Sequence, residues 1–412
     1  MQIKESQTKF IDIIKALEEV IITQSGADVF SEIFKLIYAK LADEIGVASG
    51  KHKAKFISSK SYEADIQKLF SRATLKWNNI FAPQERFNMG RECLANCVHI
   101  FEGINVAQYS LDDATQAFEY ILPEVAKKKR GQYFTPEHVI QLMVKILDPK
   151  EGQLIIDPAC GSGGYLINAI KYINKKKEKG AGLKLSNIYG VDIDDKSFKI
   201  AEAIKIIAGD KYSYNLDKID TISTKLWQEL GLKKHSFDCV FTNPPFSGDI
   251  TKKEVLENYE LAQTLREKLR PRMDRHILFF ERIFDLLKPG GQAAVVLPQG
   301  VLNNKNMAYV REYLLTNAQV LAVVSLDRNI FRPYTDIKTS IVFFKRWEAS
   351  VDRLLDYPIF MAISEKSGKD HLGRIVYKKD AKNNIILNKD EKPIIDHDLD
   401  EIAKKYIDFI KK

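Results

Sequence analysis

Asn243-Pro244-Pro245-Phe246 is the segment of this 412-residue chain whose residue types point most directly to chemistry. It follows the apolar run Phe237 to Phe241 and Thr242. Two prolines at a strand end donate no ladder hydrogen bonds, and Pro244 restricts the backbone of Asn243. The result is a rigid turn with outward-facing acceptors, the Asn243 side-chain oxygen and the Pro244 carbonyl. Two such acceptors can receive hydrogen bonds from one exocyclic amine, steer it toward tetrahedral geometry and aim its lone pair at an electrophile. Phe246 offers a ring on which a planar base can stack. No Ser/His/Asp arrangement competes with this segment, and the seven histidines are scattered.

Upstream, Asp157-Pro158-Ala159-Cys160-Gly161-Ser162-Gly163-Gly164 joins a strand-like run to a helical one. Glycines there permit positive φ and let a ligand approach bare backbone. The loop alone is compatible with dinucleotide, phosphate or nucleoside ligands. It lacks the Gly-Lys-Ser/Thr ending of a phosphate loop and the full G-x-G-x-x-G of a dinucleotide site. Asp192 ends the next strand, where a carboxylate can accept both ribose hydroxyls. Asp157 can receive the ammonium of a methionine moiety or hold the loop's own amides. Taken alone, Asp157 reads equally as a helix cap and Asp192 as a turn residue. Together with the loop they indicate S-adenosylmethionine, with Ile193 packing on the adenine ring and Asp220 a weaker candidate for its amino group. An activated methyl donor requires positioning more than acid–base catalysis. A base within a duplex must be flipped to reach such a turn.

These segments need a scaffold. Residues 1 to about 125 read as helical, with Ser25 placed to cap a helix in which Phe30, Phe34, Ile37 and Leu41 recur while Lys35, Lys40 and Glu44 lie on other faces. Phe81-Ala82-Pro83 interrupts the pattern, and Gly90 to Ile100 resumes it. From about Gly131 strands and helices alternate. Apolar runs at Leu154–Ile156, Ile188–Val191, Phe237–Phe241, Ala293–Leu297, Val320–Leu326 and Ser340–Phe344 are separated by helices, one of them ended by Pro289-Gly290-Gly291. Such texture implies a mostly parallel sheet covered on both faces, with ligands beyond the carboxyl ends of its strands. After about Lys345 the chain turns irregular and polar, without internal repeats, and closes with a helix around Ile402 to Ile410.

A hydrophobic fraction of 45% and a charged fraction of 29% are those of a globular protein long enough for two domains. No run of 18 apolar residues occurs and Met1–Glu19 is studded with charges, so neither a membrane span nor a secretory signal is expected, and a cytoplasmic location is. Cys93, Cys97, Cys160 and Cys239 read as buried thiols, and no metal site is expected. The net charge of +8 is modest, but its distribution is not even. Lys127-Lys128-Lys129-Arg130 lies before Gly131-Gln132-Tyr133-Phe134-Thr135-Pro136. Lys252, Lys253, Arg266, Lys268, Arg270, Arg272 and Arg275 follow the Asn243 turn. Two basic runs flanking one reaction centre fit phosphate contacts as well as a solvated face.

With Gly131–Pro136, the glycine loop and Asn243–Phe246 in this order, the chain resembles the N6-adenine DNA methylase family, and within it the methylation subunit of type I restriction–modification systems. Phe30 to Leu41, Lys288 to Pro298 and Thr335 to Phe344 support the resemblance, which is firm from about residue 25 to residue 346. It implies that the Tyr133-Phe134-Thr135-Pro136 segment contacts the methionine end of the cofactor, and that Asn243, Pro244, Pro245 and Phe246 serve adenine rather than cytosine. The expected cofactor contacts are Tyr133, Phe134, Thr135, Asp157, Pro158, Gly161, Ser162, Gly163, Asp192, Ile193 and Asp220. The expected fold is α/β. A helical N-terminal domain over 1–125 precedes a Rossmann-like, S-adenosylmethionine-dependent methyltransferase domain over 126–350. Its sheet is mostly parallel, doubly wound and seven-stranded, and 351–412 form a C-terminal extension with a short helix. The implied partners are double-stranded DNA, a specificity subunit served by two copies of this chain, and a restriction nuclease subunit. The short carboxyl end also suits the front part of a fused methylase-specificity protein. Protein-glutamine or RNA-guanine methyltransferases share the Asn-Pro-Pro-aromatic turn, and a non-catalytic DNA-binding scaffold subunit would share the fold.

Overall fold

Two compact units organise the chain in its computed structural model, which describes residues 9–56, 62–121, 134–176, 185–209, 214–223, 225–264, 266, 268–348, 356–389 and 391–411. One compact unit comprises 1–123 with 195–213, the other 124–194 with 214–412. The helix Asp195–Ala208 therefore belongs with the N-terminal helices, and the 351–412 stretch belongs with the sheet. This division departs from a linear three-part reading because packing, not chain order, defines a core.

The helical unit contains α1 (Phe10–Gln24), α2 (Val29–Ala48), α3 (Tyr62–Lys76), α4 (Arg91–Phe101) and α5 (Leu111–Ile121). Its aromatic centre stacks Phe30 on Phe34 and sets Phe10 edge-on to Phe118. Asp28, not Ser25, caps α2, its Oδ1 accepting the Ser31 N–H at 2.7 Å, while Ser25 ends α1. Both are good capping residues, and only the helix start decides between them. Lys35 and Lys40, expected on outward faces, are buried because α2 is surrounded. Lys35 Nζ is satisfied by Glu32 Oε1 and the Arg86 carbonyl, each at 2.7 Å, so its charge is paired where it is desolvated.

The second unit is built on a sheet of eight strands among the described residues. They are β1 (Ile155–Asp157), β2 (Ile188–Val191), β3 (Asn215–Asp217), β4 (Phe237–Thr242), β7 (Leu287–Pro298), β8 (Ala318–Ser325), β9 (Thr339–Arg346) and β10 (Phe360–Ile363), with a separate hairpin of β5 (Asp249–Ile250) and β6 (Met273–Asp274). The order is β10-β8-β9-β7-β4-β1-β2-β3, and only β9 runs antiparallel to its neighbours. Helices α6 (Glu137–Leu147), α7 (Gly164–Lys176), α8 (Asp195–Ala208), α9 (Leu226–Leu230), α10 (Lys253–Leu256), α11 (Arg275–Leu286), α12 (Gln299–Asn303), α13 (Ala308–Asn317) and α14 (Leu399–Phe409) complete the order, with α8 lying in the first unit. No described helix is long and apolar enough to cross a membrane. The strand order reverses at β1, which pairs in parallel with β2 on one side and β4 on the other. Such a switch point opens a crevice at the carboxyl ends of the strands.

Further details correct the sequence reading. Pro289-Gly290-Gly291 lies inside the long strand β7, which begins immediately after α11. The seven-stranded sheet gains β10 as an eighth, parallel to β8. Phe360 packs on Tyr406 and Phe409 of α14, whereas Met361 and Ile363 are 68% and 70% exposed, so a four-residue edge strand shows no inside–outside alternation in its sequence. The polar segment that follows is also ordered. Asp370, Asp380 and Asn388 each accept the N–H four residues on (Arg374, Asn384, Lys392) at 2.9 Å, with left-handed residues at Gly373, Asn383 and Glu391. Three turns of one construction thus form a repeat that the composition hides.

Gly190 in β2 shows how tightly the sheet is covered. A Cβ there would lie 2.8 Å from Leu166 Cδ1, 3.1 Å from Leu216 Cδ1 and 3.2 Å from Cys160 Sγ, all buried. Gly190→Ala should therefore lower the urea unfolding free energy by about 1–3 kcal/mol, and an unchanged midpoint would contradict this packing.

Candidate active site

The loop after β1 is held by side chains from below and from the neighbouring strand. Asp157 is fully buried, and its Oδ1 accepts the Ala159 N–H at 3.0 Å. Gly161 and Gly163 carry φ of 54° and 81°, which glycine adopts without strain. Asp192 Oδ2 accepts the Gly161 N–H at 2.9 Å, Asp192 Oδ1 accepts the Asp194 N–H at 2.8 Å, and the Cys160 N–H reaches the Val191 carbonyl at 3.0 Å. Thr221 Oγ1 donates to the Pro158 carbonyl at 2.5 Å. The loop is thus a fixed backbone surface.

Burial pushes the Asp157 carboxyl up to about 8, against the Ala159 N–H, which favours the anion. Its Oδ2 is buried without a hydrogen-bond partner. The neighbouring Thr242 hydroxyl, likewise unpartnered, eases the charge without closing a bond to it. Asp192 is pushed up to about 6, again chiefly by burial, with the backbone N–H groups of Asp194 and Gly161 opposing.

Above the loop lies a cleft lined by Phe134, Thr135, Ile140, Ala159–Ser162, Gly164, Tyr165 and Asn243. At its wall, Asn243 Nδ2 donates to Thr135 Oγ1 at 3.0 Å, leaving Asn243 Oδ1 buried and unpartnered. Tyr165 Oη lies 3.3 Å from Thr135 Oγ1. A free acceptor in a cleft floored by bare backbone can receive an N–H from a planar amine, provided the amine's reacting atom is held over the loop.

The cleft thus brings together Phe134, Thr135, Gly161, Ser162 and Asn243, with Asp157, Pro158, Gly163 and Asp192 supporting the loop. Tyr133, like the basic run 127–130, lies outside the described residues. Asp192 binds the loop's backbone through both carboxylate oxygens. Ile193 is 49% exposed at the edge of the loop, where it offers an apolar surface. Asp220 is exposed, and its Oδ1 accepts the Ile222 N–H at 3.1 Å. Phe246 does not present an open ring: it is buried edge-on against Phe331, while Pro244 is buried and Pro245 half-buried. Sequence reasoning missed Tyr165, Thr242 and Ile140, whose spacing resembles that of ordinary core residues.

The basic insertion after the turn is pinned from α11. Glu281 accepts the N–H groups of Glu260 and Leu261 at 2.7 and 2.8 Å, with its carboxyl pushed up to about 7 by burial. Arg282 donates to Tyr259 Oη at 2.6 Å and to the Ile222 carbonyl at 3.2 Å. On this frame Lys252, Lys253, Arg266, Lys268 and Arg272 are exposed, while Arg270 and Arg275 are half-buried, Arg270 over the Tyr309 ring.

Residues 109–410 match the family model described as N-6 DNA Methylase. The chain is 31% identical over 238 residues to the type I restriction enzyme EcoEI methylase subunit of Escherichia coli, spanning 56% of this chain and 45% of that protein. It is 26% identical over 363 residues to the MpnII methylase subunit of Mycoplasma pneumoniae, spanning 84% and 62%. The chain thus spans about half to three-fifths of these relatives. In fold it is similar to the crystal structure of a type I restriction-modification system methyltransferase subunit from Streptococcus thermophilus (TM-score 0.62, 18% identity, 97% and 94% of the two chains).

The Asp157 carboxyl gives a test of the buried floor. Its folded value of about 8 exceeds the ordinary 3.8, so its contribution to stability is fully present below 3.8 and is lost as the pH rises through about 8. Asp157→Asn keeps an acceptor for Ala159 and removes the titration. Wild type should lose stability relative to this variant between pH 4 and 8 in chemical denaturation, by up to about 1.4 kcal/mol per pH unit. A difference that does not change with pH would contradict the protonated floor.

Proposed function

From the premise that the chain belongs to the N-6 DNA methylase family, we propose that it transfers a methyl group from S-adenosylmethionine to N6 of an adenine flipped out of double-stranded DNA. It does so as the modification subunit of a type I restriction–modification system, acting in the cytoplasm. A separate specificity subunit, bound by two copies of this chain, chooses the site, and a nuclease subunit completes the assembly. The observation that carries this reading is the Asn243 carbonyl: an unpartnered acceptor at the wall of a cleft whose floor is glycine backbone.

The residues fit the cofactor. Asp157 Oδ2 is buried without a hydrogen-bond partner, and the ammonium of a methionine moiety would draw its carboxyl toward the anion, while Gly161, Ser162 and Gly164 line the cleft. Phe134 borders the methionine end, Pro158 and Asp192 hold the loop's shape, and Ile193 with Asp220 flank the nucleoside. When bound, the cofactor supplies an activated methyl group. Asn243 Oδ1 and the Pro244 carbonyl accept the two N–H bonds of the adenine amine and so aim its lone pair. Pro245 stiffens the turn. Phe246, buried against Phe331, backs the turn and reaches a stacking position only if that packing opens. Catalysis then comes mostly from positioning and desolvation.

Asn243→Ala should keep wild-type affinity for S-adenosylmethionine by calorimetry, yet lose methyl transfer to DNA by about 10²–10³-fold when the specificity subunit is supplied. N6-methyladenine in the digested DNA is the readout, and undiminished transfer would refute the assignment. The exposed basic insertion implies phosphate contacts. DNA affinity should then fall with log salt at about 0.9 per phosphate neutralised, and reversing Lys252, Lys253 and Arg272 to Glu should flatten that slope. An equal slope in that triple variant would remove the insertion from the DNA interface.

A further inference from the structure

We propose that Thr135 is a positioning residue that fixes the roll of the Asn243 amide, and that the Met143 sulfur sets the polarity of that arrangement through Tyr165. The proposal rests on the reading that Asn243 accepts a hydrogen bond from the target amine.

An asparagine amide has two rolls of nearly equal shape, one presenting C=O to the cleft and the other NH₂. Only the first can receive an exocyclic amine, because the second sets donor against donor. The hydrogen-bond chain behind Asn243 decides between them. Asn243 Nδ2 lies 3.0 Å from Thr135 Oγ1, Tyr165 Oη lies 3.3 Å from Thr135 Oγ1, and Tyr165 Oη lies 3.2 Å from Met143 Sδ. A thioether only accepts, and the phenol and the threonine hydroxyl carry one proton each. With the phenol proton on the sulfur, the Tyr165 oxygen accepts from Thr135, and Thr135 Oγ1 accepts from the Asn243 amide. All three contacts are made, and the Asn243 carbonyl is left facing the cleft.

Rolling the amide over gives a poorer set. Thr135 would donate to Asn243 Oδ1 and Tyr165 to Thr135, leaving Met143 without a donor and the Asn243 NH₂ buried without an acceptor. Two bonds and a stranded NH₂ stand against three bonds and a stranded carbonyl, and a buried donor left unpaired is the heavier loss. The geometry does not drift, because Tyr165 and Met143 are buried and the Tyr165 ring lies nearly parallel to Phe241, two residues before Asn243. The resemblance assigned Thr135 to the cofactor. Here its hydroxyl is engaged on both sides by protein, which assigns it to the reacting turn instead.

Thr135→Val keeps the shape and removes the hydroxyl. Its affinity for S-adenosylmethionine should stay within about twofold of wild type, while kcat for transfer falls about tenfold at unchanged KM for DNA, and Thr135→Ser should recover most of the loss. A readout independent of turnover is hydrogen exchange of the Asn243 side-chain NH₂, assigned by NMR against Asn243→Ala. It should be slow in wild type and faster in both Thr135→Val and Met143→Leu. Wild-type kcat in Thr135→Val, or a transfer defect that saturating cofactor abolishes, would overturn the role of Thr135. Unchanged exchange in Met143→Leu would overturn the role of the sulfur. If Asn243→Ala itself transfers normally, the underlying reading fails. If that variant is inactive and Thr135→Val is not, only this inference fails.

Discussion

Asp192 engages the exits of three adjacent strands at once. Its N–H reaches the Asp217 carbonyl at the end of β3, its Oδ2 holds Gly161 in the loop leaving β1, and its Oδ1 turns the chain at the end of β2 through Asp194. The carboxylate is nearly buried, so these hydrogen bonds have no water to replace them, and losing the acceptor would strand the Gly161 N–H at about 1–3 kcal/mol. The left-handed turns at Gly161 and Gly163 deliver Tyr165 into the first turn of α7, from which its hydroxyl reaches Thr135. The hydrogen-bond chain behind Asn243 is therefore tied to Asp192 through the backbone of the loop.

The insertion after Asn243 is tied into the same frame. Arg282 joins Tyr259 to the Ile222 carbonyl, and the neighbouring Thr221 hydroxyl holds the Pro158 carbonyl at the start of the glycine loop. Glu281 adds two hydrogen bonds to the insertion's backbone. Its exposed lysines and arginines are thus mounted on a braced segment rather than a free loop. Phosphate contacts made there would set the register of DNA relative to the cleft.

What was legible in the sequence was local. A proline pair after a strand, glycines between strand and helix, and continuous Val/Ile runs each declare themselves within a few residues, and they located the sheet, the loop and the turn. What was not legible depends on partners far away in the chain. Thr135 and Asn243 are 108 residues apart, so nothing near Thr135 indicates that its hydroxyl meets an amide rather than a ligand. Asp192 and the Gly161 N–H it accepts are 31 residues apart, so an acid at a strand end does not announce the backbone it holds. Phe246 was expected to be open, and only Phe331 shows that it is covered. Lys35 and Lys40 look like surface residues until Glu32, the Arg86 carbonyl and Glu44 are seen beside them.

The chain's assignment of Asp195–Ala208 to the helical unit has a consequence for synthesis. The Tyr38 hydroxyl donates to the Lys199 carbonyl across 161 residues, with Lys199 also lying over the Phe81 ring and Lys196 over Phe30. The N-terminal core is thus incomplete until β1, α7 and β2 have been made and the chain has returned to it. At about 5–20 residues per second, a ribosome takes several seconds or more to cover that distance, during which Tyr38 and its neighbours lack their cover. A domain boundary drawn at residue 123 would sever this closure, so the helical part cannot be exchanged between proteins as a contiguous cassette without leaving an aromatic core open to water.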